Sequence, residues 1–333
     1  MEGHFYNSYL KDFIMALTIN EIKKARERIA PYIVKTPLIR LNNLDKYLGC
    51  EVYAKAECMQ TTGSFKFRGA INKILSLSEE ELKRGIVTAS SGNHGKGVAY
   101  ASKMFGIKAT VVLPYTAAKV KIDKIRSWGA EIVQADVAER FEVADRICRE
   151  KNAILVPPFN DETVMAGQGT TALEILEQCP EINTVIVPVS GGGLISGVST
   201  AIKAMSPDVK VYGAEPSLLP RYTASLKAGK PVFVDKNVSI ADGLISLIPG
   251  DVCFPYVKAN ADGFADVDEE YILKGTKLML LEGKILCETS SAITLGAVMQ
   301  GLIKVKKTDK VCFLLSGGSI SLEQLRRLED ISI

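Results

Sequence analysis

The chain has 333 residues, 47% of them apolar and 24% charged, and its 41 basic and 38 acidic side chains leave a formal net charge of +3. That balance is ordinary for a globular protein, and the length sets an expectation of two domains. No basic block points to nucleic acid or a membrane surface, no stretch is long and apolar enough to span a bilayer, and the N-terminal segment with Glu2 and Asp12 lacks a signal-peptide core.

In chain order, Thr18 followed by Glu21 has capping-box spacing, opening a helix to about residue 31. Apolar runs at 50–57, 85–90, 108–113, 130–135 and 153–158 read as strands, with helices near 93–105, 116–127 and 137–151. Further strands follow at 184–189, 209–215, 264–267 and 310–315, again separated by helices. Such alternation argues for parallel sheets covered on both faces, and the strands are too many for one sheet, so two α/β units are expected.

Seven cysteines, an odd number with no CxxC pair, fit free thiols in a reducing cytoplasm. The two histidines, His4 and His94, exclude a His-rich metal centre and leave His94 as a candidate general base.

Three glycine turns follow strands, where open α/β sheets bind ligands: Ser90-Ser91-Gly92-Asn93-His94-Gly95, Ser190-Gly191-Gly192-Gly193-Leu194 and Ser316-Gly317-Gly318. Each is expected to lead into a helix, whose exposed N–H groups and dipole suit an anion. None has the dinucleotide or Walker spacing, so a ligand with a single phosphate or carboxylate fits better. Lys66, between Phe65 and Phe67, reads alone as an ordinary surface lysine. A functional reading requires that it be desolvated enough to act as a free amine.

Ser64-Phe65-Lys66-Phe67-Arg68-Gly69-Ala70 resembles the cofactor-lysine motif of the fold-type II pyridoxal-phosphate (PLP) enzymes, in the branch of serine/threonine dehydratases (ammonia-lyases) and serine racemases. Ser91 to Gly95 resembles that branch's substrate-carboxylate loop and Ser190 to Leu194 its phosphate loop. Ala166 to Thr170, Gly213 to Pro216, Ala241 to Gly243 and Ser316 to Gly318 follow in the family's order, and the resemblance runs from about residue 20 to residue 328.

The resemblance implies two three-layer α/β domains of the tryptophan synthase β-like type, with a small mobile domain (81–158) inserted in a large PLP-binding one (1–80 and 159–333). It implies that Lys66 holds PLP, Phe65 packs on its ring, Asn93 bonds the ring 3′-oxygen, and Ser316 faces the ring nitrogen. Ser190, Gly191, Gly192, Gly193 and Leu194 would hold the phosphate, and Ser90, Ser91, Gly92, Asn93 and His94 the substrate carboxylate. The expected reaction is β-elimination on L-serine or L-threonine, giving a 2-keto acid and ammonia in a cytoplasmic homodimer or homotetramer. Serine racemisation is the alternative, with Ser91 as second acid. Ser91 favours the racemases, Phe159 the dehydratases, and Pro157 departs from both. A β-replacement enzyme is disfavoured by His94 after Gly92-Asn93, and a catalytically silent PLP-binding protein by the intact Lys66.

The family's divalent-cation site uses a glutamate matching Glu215 and an aspartate where this chain has Arg221, with Leu219 at the backbone donor. No metal is expected there, because an arginine repels a cation or pairs with Glu215 itself. No ligand-binding domain follows Ser319-Ile320, so feedback control of the long biosynthetic kind is not expected.

Overall fold

The computed structural model describes residues 16–90, 92–117, 119–136 and 138–333. Its strands are β1 (Leu38–Arg40), β2 (Glu51–Lys55), β3 (Ile86–Ala89), β4 (Ala109–Pro114), β5 (Glu131–Ala135), β6 (Ile154–Leu155), β7 (Thr184–Pro188), β8 (Lys210–Pro216), β9 (Gly263–Val267) and β10 (Lys310–Leu314). They form two sheets, one in the order β1-β2-β10-β7-β8-β9 and the other β5-β4-β3-β6. Every pairing is parallel except β1 with β2.

The larger sheet is buried on both sides. Val311 and Phe313 of β10 join Val52 and Ala54 of β2 in one core, while Cys312 and Leu314 join Val185 and Val187 of β7 in the other. Period-2 alternation between two apolar cores explains why these strands read as continuous apolar runs. The smaller sheet repeats the device, with Val87, Ala89 and Val112 on one face and Val111 and Leu113 on the other. No helix among the described residues is long and apolar enough to cross a membrane.

Thr18 caps the first helix, Ile19–Ile29, with its hydroxyl accepting the Glu21 N–H at 3.3 Å. Two expectations need correction. Within 153–158 only Ile154 and Leu155 pair in the sheet, because Pro157 and Pro158 have no N–H to offer a ladder. The Ser316-Gly317-Gly318 turn does not open a helix. Gly317 instead bridges to Ser64, the Phe65 N–H donates to the Ser316 carbonyl at 3.0 Å, and the next helix, Leu322–Arg326, starts only after Ser321.

Four charged side chains are buried together behind the start of the Lys66–Leu75 helix. Arg68 donates to Glu57 through Nε and Nη2 (2.7 and 2.8 Å) and to Glu174 through Nη1 and Nη2 (2.7 and 2.8 Å). Lys55 Nζ completes the group, 2.6 Å from Glu174 Oε2 and 2.6 Å from the Thr36 carbonyl. Two cations face two carboxylates, so the set is neutral and each carboxylate accepts a forked pair.

Removing one partner from such a set strands a charge in the interior. Glu174→Gln is therefore expected to lower stability by about 3–5 kcal/mol in denaturant titration. A loss under about 1 kcal/mol, the range of exposed ion pairs, would show the network to be solvated.

Candidate active site

Lys66 is the first residue of its helix, and the preceding turn sets its direction. Gly63 adopts φ +78°, its carbonyl accepts the Gly318 N–H at 3.0 Å, and Phe65 is tied to Ser316. The Lys66 amine donates to the Pro158 carbonyl at 2.7 Å and lies 5.0 Å from the centroid of the Phe65 ring. Desolvation lowers its pKa to about 8, opposed only by weaker attraction from Cys253 and Glu288. Lys66 is thus able to present a free amine near neutrality.

The Ser190 turn follows β7 and feeds the Gly193–Met205 helix. Gly192 sits at φ +102°, and a Cβ there would fall 1.7 Å from the Tyr222 hydroxyl. A Cβ on Gly191 would fall 2.4 Å from the Phe159 ring. Phe159 therefore packs against this turn. The Gly191 carbonyl accepts from Tyr222 Oη (3.0 Å) and the Gly250 N–H (2.9 Å), and Ser190 Oγ accepts from the Ser246 N–H (3.2 Å). With the carbonyl tied back, the N–H groups of the helix's first turn have no intrahelical acceptor and are able to receive an anion.

The third strand end brings Ser316, which is buried, within 3.0 Å of Ser291 Oγ. The smaller sheet contributes Gly92, Asn93 and His94 at the start of the Asn93–Met104 helix, and Ser90, whose hydroxyl accepts the Gly92 N–H at 3.3 Å. Ser91 lies outside the described residues. Asn93 Nδ2 donates to both oxygens of Glu288 (3.1 and 3.0 Å), and its Oδ1 accepts from Ser319 Oγ at 2.6 Å. Lys96 reaches the same Ser319 hydroxyl at 2.5 Å. Burial pushes the Glu288 carboxyl up, against the bond from Asn93 and the Ser319 N–H. His94 is buried with Nε2 2.9 Å from the Val156 carbonyl, and desolvation lowers its pKa to about 3. The imidazole is therefore neutral near pH 7 and too weak a base to hold a proton there.

Sequence reasoning missed Pro158, Glu288 and Ser291. A backbone carbonyl carries no residue-type signal, and Glu288 and Ser291 sit in an unremarkable run, Cys287-Glu288-Thr289-Ser290-Ser291, far from the motifs they touch.

The lining fits a compact phosphate-bearing cofactor. Thr62 Oγ1, Ser64 Oγ, His94 Nδ1 and Gln168 Oε1 are buried without a hydrogen-bond partner, and Gln168 Oε1 lies 2.8 Å from where a Cβ on Gly193 would stand. Buried polar atoms are normally satisfied, so the open Gln168 Oε1 beside Gly193 and the open His94 Nδ1, whose ring is close enough to Lys66 to feel its charge, mark a polar ligand site.

Comparison with known proteins agrees. The family model described as "Pyridoxal-phosphate dependent enzyme" matches residues 29–317. An L-threonine ammonia-lyase from Thermotoga maritima is 43% identical over 315 residues, covering 94% of this chain and 78% of the relative. A serine racemase from Oryza sativa subsp. indica is 40% identical, covering 92% of each chain. The solved structure of maize serine racemase superposes with a TM-score of 0.90 at 38% identity, covering 94% of this chain and 96% of that one. With the family model matching residues 29–317, and relatives at about 40% identity and the same fold covering more than nine-tenths of it, this chain belongs to the pyridoxal-phosphate dependent enzymes.

Proposed function

We propose that the chain dehydrates and deaminates L-serine or L-threonine to a 2-keto acid and ammonia, with racemisation of serine or a related amino acid as the second activity of the same site. The observation that carries this reading is the Lys66 amine, desolvated to a pKa of about 8 beside the Ser190–Leu194 cradle. The likeness to both an ammonia-lyase and a serine racemase over more than nine-tenths of the chain supports both activities.

PLP, when bound, supplies the electron sink that stabilises charge developing at the substrate Cα. Lys66 Nζ would hold the cofactor, and its free amine would be the group that takes the Cα proton on one face. Gly191, Gly192, Gly193 and Leu194, with Ser190, receive the phosphate on the helix N–H groups. Phe65 would pack on the ring. Asn93, whose Nδ2 donates to both Glu288 oxygens, would bond the 3′-oxygen. Ser316, whose hydroxyl is shared with Ser291, would face the ring nitrogen with a hydroxyl rather than an acid. Ser90, Ser91, Gly92, Asn93 and His94 take the substrate carboxylate, and Ser91 is the second acid in racemisation.

We further propose that residues 81–158, which contain the four-stranded sheet, move as a small domain against residues 1–80 and 159–333, and that closure excludes water. The seven free cysteines support a cytoplasmic setting, and a homodimer or homotetramer is the proposed assembly.

Two experiments test this reading. The PLP-loaded protein should release keto acid and ammonia from L-serine or L-threonine, and Lys66→Ala should lower turnover by at least about 100-fold, the low end for general acid–base catalysis. Neither keto acid nor inverted amino acid from either substrate would sink the proposal. In the same assays Ser91→Ala should abolish inversion while sparing elimination; persistent inversion removes Ser91 from the mechanism.

The second experiment uses pH. Lys66 is depressed from 10.5 to about 8, so between those values the folded chain holds fewer protons than the unfolded one, and apoprotein stability rises with pH across that window. Labelling of Lys66 in the apoprotein by an amine-reactive reagent, read by mass spectrometry, should show a midpoint near pH 8. A midpoint at the unperturbed value would mean that the amine is solvated.

A further inference from the structure

Arg221 is fully buried at the start of the Arg221–Ala228 helix. Its guanidinium gathers backbone carbonyls from three segments, donating through Nη1 to Val189 (3.1 Å) and through Nη2 to Leu219 (2.7 Å) and Leu244 (2.9 Å). Glu215, at the end of β8, lies 3.8 Å from Nε, which has no hydrogen-bond acceptor. Glu215 itself accepts the N–H groups of Tyr222 (3.0 Å) and Thr223 (2.8 Å), capping the helix.

Two of these segments, and the helix that Arg221 itself opens, lead to the phosphate cradle. Val189 immediately precedes Ser190. Leu244 lies two residues before Ser246, whose N–H bonds Ser190 Oγ. Tyr222, next to Arg221, places its hydroxyl on the Gly191 carbonyl. A buried positive charge that draws several carbonyls and one carboxylate together does the structural work of a bound metal ion. A divalent cation does not fit here as well: the guanidinium already stands beside Glu215, and like charges at such a distance repel strongly in a buried setting.

We propose that Arg221 is a built-in cation that takes the place of the divalent metal expected from the family resemblance and positions the Ser190–Leu194 turn for phosphate. The inference rests on the reading of that turn as the PLP phosphate cradle. It makes Arg221 a positioning residue, acting through Val189, Leu244 and Tyr222.

The test uses the holoenzyme and its variants. In wild type, the melting temperature and the PLP dissociation constant should be the same in EDTA, millimolar magnesium chloride and millimolar calcium chloride. Arg221→Ala should weaken PLP binding by about tenfold or more and move the phosphorus-31 resonance of bound PLP, whereas Arg221→Lys, which keeps the charge, should recover part of the affinity. Arg221→Asp should recover affinity and melting temperature when calcium or magnesium is added, but not with sodium at equal ionic strength.

Stabilisation of the wild type by either divalent ion overturns the proposal. So does wild-type PLP affinity in Arg221→Ala, or an Arg221→Lys variant that folds as poorly as Arg221→Ala. An Arg221→Asp variant indifferent to divalent ions, including one that stays unfolded with them, overturns the equivalence of guanidinium and metal. If the wild type takes up no PLP, the reading of the cradle itself fails, and the wild-type titration reports that separately.

Discussion

The buried clamp on Arg68 is the constraint from which the rest of the site follows. Arg68 comes two residues after Lys66 in the first turn of the same helix, so a rotation of that turn would carry both side chains. Glu57, just after β2, and Glu174, in the Glu162–Gln178 helix, each grip the guanidinium through two bonds. A planar fork matched to two carboxylates resists rotation in a way a single ammonium would not. Burying four charges is costly, and the cost is offset because the set is neutral and its polar atoms are bonded, Lys55 and Thr36 included. The clamp thus orients an amine that must itself stay unbonded to any carboxylate.

That last requirement explains the chemistry around Lys66. An amine is kept neutral by burial or by neighbouring positive charge. Here burial dominates, and the amine rests on a carbonyl, that of Pro158, which bonds it without adding a full negative charge. The carboxylates of the clamp lie on the far side of the helix turn, spent on Arg68. Glu288 is the acid that faces the site, and it is engaged by Asn93 and Ser319. The polar knot of Asn93, Lys96, Glu288 and Ser319 is also where the helix following β3 of the smaller sheet meets loops of the larger one. A shift of the smaller sheet relative to the larger one therefore reaches the site through these side chains.

Much of this was legible in the sequence. Strands buried on both faces appear as apolar runs, and the glycine turns after β3 and β7 lie at helix starts as anion sites require. Three kinds of feature escaped. β1 is a three-residue antiparallel edge, too short for any period to register. The Ser316 turn was misread because its partner, Ser64, is far away in sequence, and a glycine pair looks the same whether it opens a helix or accepts a bridge. The site's supporting groups, Pro158, Glu288 and Ser291, are assembled only by folding, and a carbonyl or a lone serine carries no motif.

The two sheets divide the work unequally. Lys66, the phosphate cradle and Ser316 all belong to the larger sheet or to loops leaving it, and both buried arginines, Arg68 and Arg221, brace that half. Under the proposed reading this half fixes the cofactor and the single face on which Lys66 acts, which elimination and racemisation share. Under the same reading the opposite face would fall to the loop after β3 of the smaller sheet, which leads into the helix that begins at Asn93. A second acid can thus be added to or taken from that loop without touching the clamp, the cradle or the amine. Under that reading one scaffold would support both outcomes, with the choice between them left to the loop after β3 rather than to the fold.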